Sequence, residues 1–196
     1  MDKFQYISSA PEDLLSIEIK GDRINLVAIS TDREEDIFQE FTPEITTYMF
    51  PDPVKDIGET RKFITASRDA IAAGYNLQFV ILSKATSEFL GCVGLHGEKN
   101  VSTPEIGIWL KKNAHGSGYG REAVHLLVKW TRENIDLDYF IYPVDRRNIS
   151  SRKIPESLGG KVIEEFEKTT PTDKFLDMLV YRIDRVLVNI SKVRSR

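Results

Sequence analysis

The stretch from Glu105 to Glu133 limits the folds open to this chain more than any other. It begins EIGIWL, where Glu105, Gly107 and Trp109 share one parity and Ile106, Ile108 and Leu110 the other, the period of a strand. Gly116, Gly118 and Gly120 follow in HGSGYG. A helical stripe then sets Ala123, Val124, Leu127, Val128 and Thr131 against Glu122, His125, Lys129, Arg132 and Glu133. Strand, glycine loop and helix in that order aim bare backbone N–H groups at one point. The first N–H groups of a helix have no internal acceptor, the helix dipole favours negative charge there, and glycine leaves no Cβ in the way. The ligand expected on this loop is an anion, read here as a pyrophosphate.

Rival loops differ in detail. This one ends Gly120-Arg121-Glu122, so it lacks the Gly-Lys-Ser/Thr end of a nucleoside-triphosphate loop. A dinucleotide fingerprint begun at Gly116 fails at Arg121. Begun at Gly118, it reaches Ala123, which is tolerated, with Asp138 as the later acid. Spacing leaves that rival open, although the unit lies past the middle of the chain. An ordinary surface turn before an ordinary helix also stays open.

Composition removes other classes. A net charge of −3 over 196 residues lacks the basic excess of a dedicated nucleic-acid binder. Lys192, Arg194 and Arg196 make a locally basic end, read as a solvated tail. Cys92 is the only cysteine, so no intrachain disulfide is expected, and within FLGCVGL it reads as a small core residue. That cysteine and three scattered histidines give no metal-ligand spacing, and no metal is expected. No run approaches the roughly 18 apolar residues of a membrane span, and no apolar leader opens the chain. A cytoplasmic protein with no membrane partner is the expectation. Ordinary globular composition and this length suggest a single domain over 1–196, with its core at about 14–184.

The remaining pattern places short strands at Leu14–Lys20 and Arg23–Ser30 around a Gly21-Asp22 turn, with Met1–Asp13 lying over the surface. Helical segments are expected from Thr31 to Gln39, after Pro43, and from Ile57 to Ala73, where Ile57, Phe63, Ile64, Ser67 and Ile71 lie near one face and Gly74 is the stop. Strands at Asn76–Ser83 and Glu88–His96 flank a hairpin connector. Beyond the central helix come a strand at Asp138–Val144, a short helix at Asn148–Leu158 crossed by Pro155, and strands at Lys161–Lys168 and Lys174–Asp184. One strand–helix–strand unit among hairpins predicts an α+β fold: a mixed, mostly antiparallel central sheet with helices on both faces.

This order, with HGSGYG opening the central helix, resembles the GNAT superfamily of acetyl-CoA-dependent N-acetyltransferases, whose loop pattern Gly118 and Gly120 fit. EIGIWL, GREAV, Asn148, Ser151, Leu158-Gly159 and FTPEITTYMF resemble its RimJ/RimL-like branch, which includes ribosomal-protein N-terminal acetyltransferases. The chain departs from that pattern at His115, where Gln or Arg is usual, at Pro155, and at Gly160, where an aromatic is usual. A cradle of main-chain N–H groups survives these changes.

The resemblance implies a splayed parallel strand pair, Glu105–Leu110 and Asp138–Val144, with the pantetheine arm of acetyl-CoA in the gap. Ile108, Trp109 and Leu110 would pair with that arm as an added strand would. The pyrophosphate would lie on His115, Gly116, Ser117, Gly118, Tyr119, Gly120 and Arg121, while Asn148 and Ser151 would reach the pantetheine, unless Asn148 merely caps its helix. Glu105 is the first choice for taking a proton from the amine, directly or through water, and His96 is the second. A backbone N–H of the central strand would hold the oxyanion. Ser151 or Tyr142 would protonate the departing thiolate, and His125 has no assigned role. The acceptor amine, a protein N-terminus or a small molecule, would enter near Phe38–Phe50, where Glu40, Glu44, Asp52 and Glu98 would supply negative charge. A CoA-binding module without catalysis is the alternative. The sequence leaves the oligomeric state open, a homodimer included.

Overall fold

The computed structural model describes residues 1–185, so the basic end at Lys192, Arg194 and Arg196 lies outside the described residues. Along the chain come β1 (Gln5–Tyr6), β2 (Glu18–Lys20), β3 (Ile24–Ala28), α1 (Glu34–Glu40), α2 (Ile57–Ala73), β4 (Asn76–Ser83) and β5 (Phe89–His96). Then follow β6 (Glu105–Leu110), α3 (Tyr119–Asn134), β7 (Ile135–Asp136), β8 (Tyr139–Asp145), α4 (Ile149–Ser157), β9 (Lys161–Thr169) and β10 (Phe175–Asp184). Eight strands form one sheet in the order β2-β3-β4-β5-β6-β8-β10-β9. Each neighbouring pair is antiparallel except β6 with β8. This is the mixed, mostly antiparallel sheet expected from the sequence.

The two faces of the sheet carry different helices. Ala123, Val124, Leu127, Val128 and Thr131, the stripe read from the sequence, are all buried on α3. The four apolar ones join Leu26, Phe79, Ile106, Phe140 and Ile183 in the larger core. At about 1.5–3 kcal/mol for each fully buried large apolar side chain, this stripe is what holds α3 against the split in the sheet. On the other face Ile37 of α1 and Ile64 and Ile71 of α2 pack with Val80 and Cys92. Asp56 caps α2 by accepting from the Gly58 N–H at 2.6 Å, and Gly74 ends it in the left-handed conformation at φ 84°.

Four expectations are corrected. The N-terminus does not simply lie over the surface: Phe4 is buried, its N–H donates to Gly74 O at 2.8 Å, and β1 pairs with β7. A two-residue strand is too short to leave an alternation in the sequence. Leu14–Ser16 is a 3-10 turn capped by Asp13, so the second strand begins only at Glu18. The segment after Pro43 makes only a 3-10 turn, Ile45–Tyr48. Phe63, grouped by periodicity with Ile64 and Ile71 near one face of α2, is 44% exposed while those two are buried, and it turns toward the cavity described below.

Candidate active site

The loop ahead of α3 is built as a donor cradle. Gly116 and Gly118 have φ of 76° and 80°, the left-handed region that side chains disfavour. Glu122 makes the first helical bond, to Gly118 O at 3.1 Å, and no side chain caps the helix. The N–H groups of Tyr119, Gly120 and Arg121 are therefore left pointing outward at the positive end of a 16-residue helix. A groove of about 990 Å³ opens there, lined by Gly116, Gly118, Gly120 and Arg121 and running to Ile108, Trp109, Leu110, Asn148 and Ser151.

Arg23, on the β2–β3 hairpin, clamps this loop, and the sequence reading missed it. Its Nε donates to Glu122 Oε2 at 2.7 Å, its backbone N–H to Glu122 Oε1 at 2.9 Å, and its guanidinium to Ser117 O at 3.1 Å. The guanidinium also lies 4.8 Å from the Tyr119 ring centre. Its partners are 94 and 99 residues away, so no local signal could have pointed to it. Glu122 sits in the first turn of α3, where an unpaired carboxylate would repel a bound phosphate. Arg23→Ala is expected to raise KM for acetyl-CoA about 3- to 10-fold, the scale of an exposed charge pair plus a loosened loop. Adding Glu122→Gln should recover part of that loss in steady-state kinetics.

The strand pair β6 and β8 parts immediately. A single residue pair, Glu105 with Ile141, bridges them. Ile141 N–H donates to Pro104 O at 3.0 Å, and Lys111 N–H donates to Leu90 O at 2.9 Å on the other side. Even-numbered β6 residues therefore turn their backbone groups toward β8 and odd-numbered ones toward β5. Beyond the bridge, the backbone groups of Ile108 and the N–H of Leu110 face an open gap. Leu110 O is taken by His115 Nε2 at 3.0 Å, which makes Nε2 the protonated nitrogen of that ring. His115 thus ties down the strand end and also lines the groove.

A second cavity of about 470 Å³ lies on the α1–α2 face. Glu105, Gly107 and Trp109 form part of its wall, as their parity predicts. His96 stands opposite Glu105 across the β5–β6 ladder and lines the same cavity. The paired Gly94 and Gly107 leave the floor bare, and the imidazole lies over it: a Cβ at Gly94 would fall 2.7 Å from His96 Nε2. Burial lowers the His96 imidazole below its usual value, outweighing the Glu98 and Glu105 charges that raise it. Glu105 is held only loosely, by Lys99 at 3.9 Å.

The Tyr142 hydroxyl and Ser151 Oγ are hydrogen-bonded at 2.8 Å. Burial pushes the Tyr142 phenol up to about 12, against a smaller opposite pull from Ser151, so it stays protonated at neutral pH. Asn148 caps α4, its Oδ1 accepting from the Ser151 N–H at 3.1 Å. The Pro155 ring sits inside α4 without breaking it. His125 pairs with Ser157 Oγ at 2.7 Å, away from the gap. Buried Cys92 lines the cavity, but burial raises its thiol far above the usual value, as suits a core residue. The acids expected to attract a cation do not line the cavity. Glu44 pairs with Lys112, Asp52 with Lys174, and Glu98 accepts from Asn76.

The two cavities meet at Met49, Ile108, Trp109, Asn148 and Ser151. A helix mouth of bare donors thus opens beside a split in the sheet, and Glu105, His96, Tyr142 and Ser151 line the cavity that meets it. The family model described as "Acetyltransferase (GNAT) domain" matches residues 23–161, and the chain belongs to that family. It is therefore an acyltransferase of the GNAT kind, whose fold uses acetyl-CoA.

Among curated proteins, it is 29% identical over 130 residues to "Uncharacterized N-acetyltransferase p20" of Bacillus licheniformis, covering 64% of this chain and 73% of that protein. In fold it is similar to a GNAT-family acetyltransferase from Bacillus anthracis, with TM-score 0.73 and 20% identity over 86% of this chain and 99% of that one. It is also similar to a RimL ribosomal L7/L12 alpha-N-protein acetyltransferase solved with coenzyme A, with TM-score 0.74 and 16% identity over 86% of this chain and 98% of that one. No helix among the described residues is long and apolar enough to cross a membrane.

Proposed function

We propose that this chain transfers the acetyl group of acetyl-CoA to a primary amine by direct attack, with both substrates bound at once. The observation that carries the reading is the meeting of the two cavities at Ile108, Trp109, Asn148 and Ser151. The uncapped N–H groups of residues 119–121 and the unpaired β6 backbone fit the diphosphate and pantetheine of acetyl-CoA. When bound, that carrier supplies an activated thioester carbonyl.

The chain's own groups do the rest. Glu105 or His96 takes the proton from the ammonium, leaving the neutral amine as nucleophile. The Ile108 or Leu110 N–H, facing the gap, donates to the developing oxyanion. The Tyr142–Ser151 pair delivers a proton to the departing sulfur, because both hydroxyls are protonated at neutral pH and Ser151 lies where the cavities join. Tyr142→Phe is expected to lower kcat about 10-fold and leave the acetyl-CoA KM near its starting value, since a thiolate leaves readily without full protonation.

Two acceptors suit the chemistry. The likeness to a RimL ribosomal L7/L12 alpha-N-protein acetyltransferase supports a protein N-terminus, and the modest volume of the second cavity, about 470 Å³, supports a small amine. Acetyl-CoA should raise the melting temperature of the protein, and an amine panel should then release free CoA. No melting shift with acetyl-CoA refutes the carrier assignment. A shift with no transfer to any amine leaves the non-catalytic CoA-binding module instead.

A further inference from the structure

The acceptor cavity has a wall that primary-amine chemistry alone does not require. Tyr48, Phe50, Val54, Phe63 and Phe166 are between 37% and 45% exposed, and all of them line it. Exposed large apolar side chains gathered around one concavity mark a binding surface. Deeper in, Trp109 packs between Phe41 and Phe89, with ring centres 5.0 and 5.7 Å away. The lining carboxylates are Glu105 and Glu59, and Glu59 is paired with Lys62 at 2.7 Å. A polycation would find only Glu105, itself loosely held by Lys99 at 3.9 Å, and would meet Lys99 and Lys168 among the lining residues.

The cavity is also roofed. The segment from Glu44 to Asp52 lines the cavity through Tyr48, Met49 and Phe50, reaches the groove through Ile45 and Met49, and is tied down from three strand ends. Glu44 pairs with Lys112, just beyond β6. Tyr48 lies under the Arg147 guanidinium at 5.5 Å, just beyond β8. Lys174, just before β10, donates to Thr46 O at 2.8 Å and Met49 O at 3.1 Å, and it pairs with Asp52. Arg147 is itself forked onto buried Asp145 at 2.8 and 2.7 Å. A polypeptide laid across the gap would have to displace this segment. A compact molecule need not.

We infer that the acceptor is a compact monoamine with an apolar body of aromatic size, its amine at Glu105 and His96 and its body against Trp109, Phe63 and Phe166. This inference rests on the acetyltransferase reading above. The test measures CoA release with 2-phenylethylamine, spermidine, and peptides beginning with Ser or Phe, each with saturating acetyl-CoA. The amine 2-phenylethylamine should exceed spermidine and both peptides in kcat/KM by about 10-fold or more, the discrimination an apolar pocket can supply. Phe63→Asn, at a half-exposed site where folding tolerates it, should raise KM for 2-phenylethylamine about 5-fold and leave KM for acetyl-CoA unchanged.

Preference for spermidine or the Ser peptide overturns the apolar assignment while acetyl transfer stands. Preference for the Phe peptide over 2-phenylethylamine overturns the compactness. If nothing is acetylated, a melting shift by 2-phenylethylamine that Phe63→Asn abolishes retains the cavity and removes the reaction. Absence of both transfer and shift overturns the cavity assignment as well.

Discussion

Turnover of the Glu105→Gln, His96→Asn double variant is expected to fall about 10²- to 10³-fold, with acetyl-CoA affinity within about twofold of its starting value. The two groups stand opposite one another across β5 and β6 and line one cavity; in the mechanism proposed above, either takes the proton when the other is lost. Each single variant should therefore lose less than its share, and the losses should not add. Because burial lowers the His96 imidazole, it is neutral and able to accept a proton throughout the neutral range. The acid limb of kcat/KM should then lie below the usual histidine value of about 6.5 wherever His96 is the acceptor, and it should move in His96→Asn.

Stability follows the same sign. Above about pH 6.5 the folded and unfolded chains both carry this ring neutral. As pH falls below that value, the unfolded chain takes up a proton that the folded chain resists, and stability is lost toward the folded pKa. Equal turnover in the double variant and the parent would remove both residues from the reaction.

Gly118→Val is expected to weaken acetyl-CoA binding by 30-fold or more and to cost about 1–2 kcal/mol of stability. The position has φ of 80°, where a β-branched residue is strained, although its Cβ would meet only Arg23 at 3.6 Å. Relief of that strain would rotate the neighbouring peptide and misdirect the N–H groups that begin α3. Titration calorimetry with acetyl-CoA checks the loss, and a melting curve separates it from unfolding. Gly120→Ala is a milder control, because its Cβ would touch Leu110 at 3.4 Å and Ile154 at 3.5 Å, ordinary packing distances.

The central unit was legible because its signals are local. The parity of Glu105–Leu110, the three glycines and the α3 stripe each span a few residues, and each element formed where expected. The end of α2 at Gly74 and the α4 cap at Asn148 could be read for the same reason. What escaped depends on contacts between distant parts of the chain. Arg23 meets Glu122 across the fold, Lys174 meets Asp52, and Phe63 leaves its helical stripe to face the cavity. Glu44 and Asp52, read in the sequence as negative charge near the acceptor site, are paired with Lys112 and Lys174, since a one-dimensional reading of charge cannot say which lysine folds back onto which carboxylate. Ser151 was read as a pantetheine contact and a proton donor, and its bond to Tyr142 requires knowing that α4 packs on β8.

The bare floor beneath His96 works as a mould. Two missing methyl groups, on facing strands, decide how the ring can lie. The two positions are not equivalent: a methyl at Gly94 would sit 2.5 Å from Gln78 and evict the imidazole, whereas one at Gly107 would lie 3.2 Å from it and need only a small give. Variation in relatives or in a directed library should therefore be permissive at 107 and nearly silent at 94. A chain that did acquire a side chain at 94 would have to swing this imidazole off the floor and reshape the cavity wall facing Glu105.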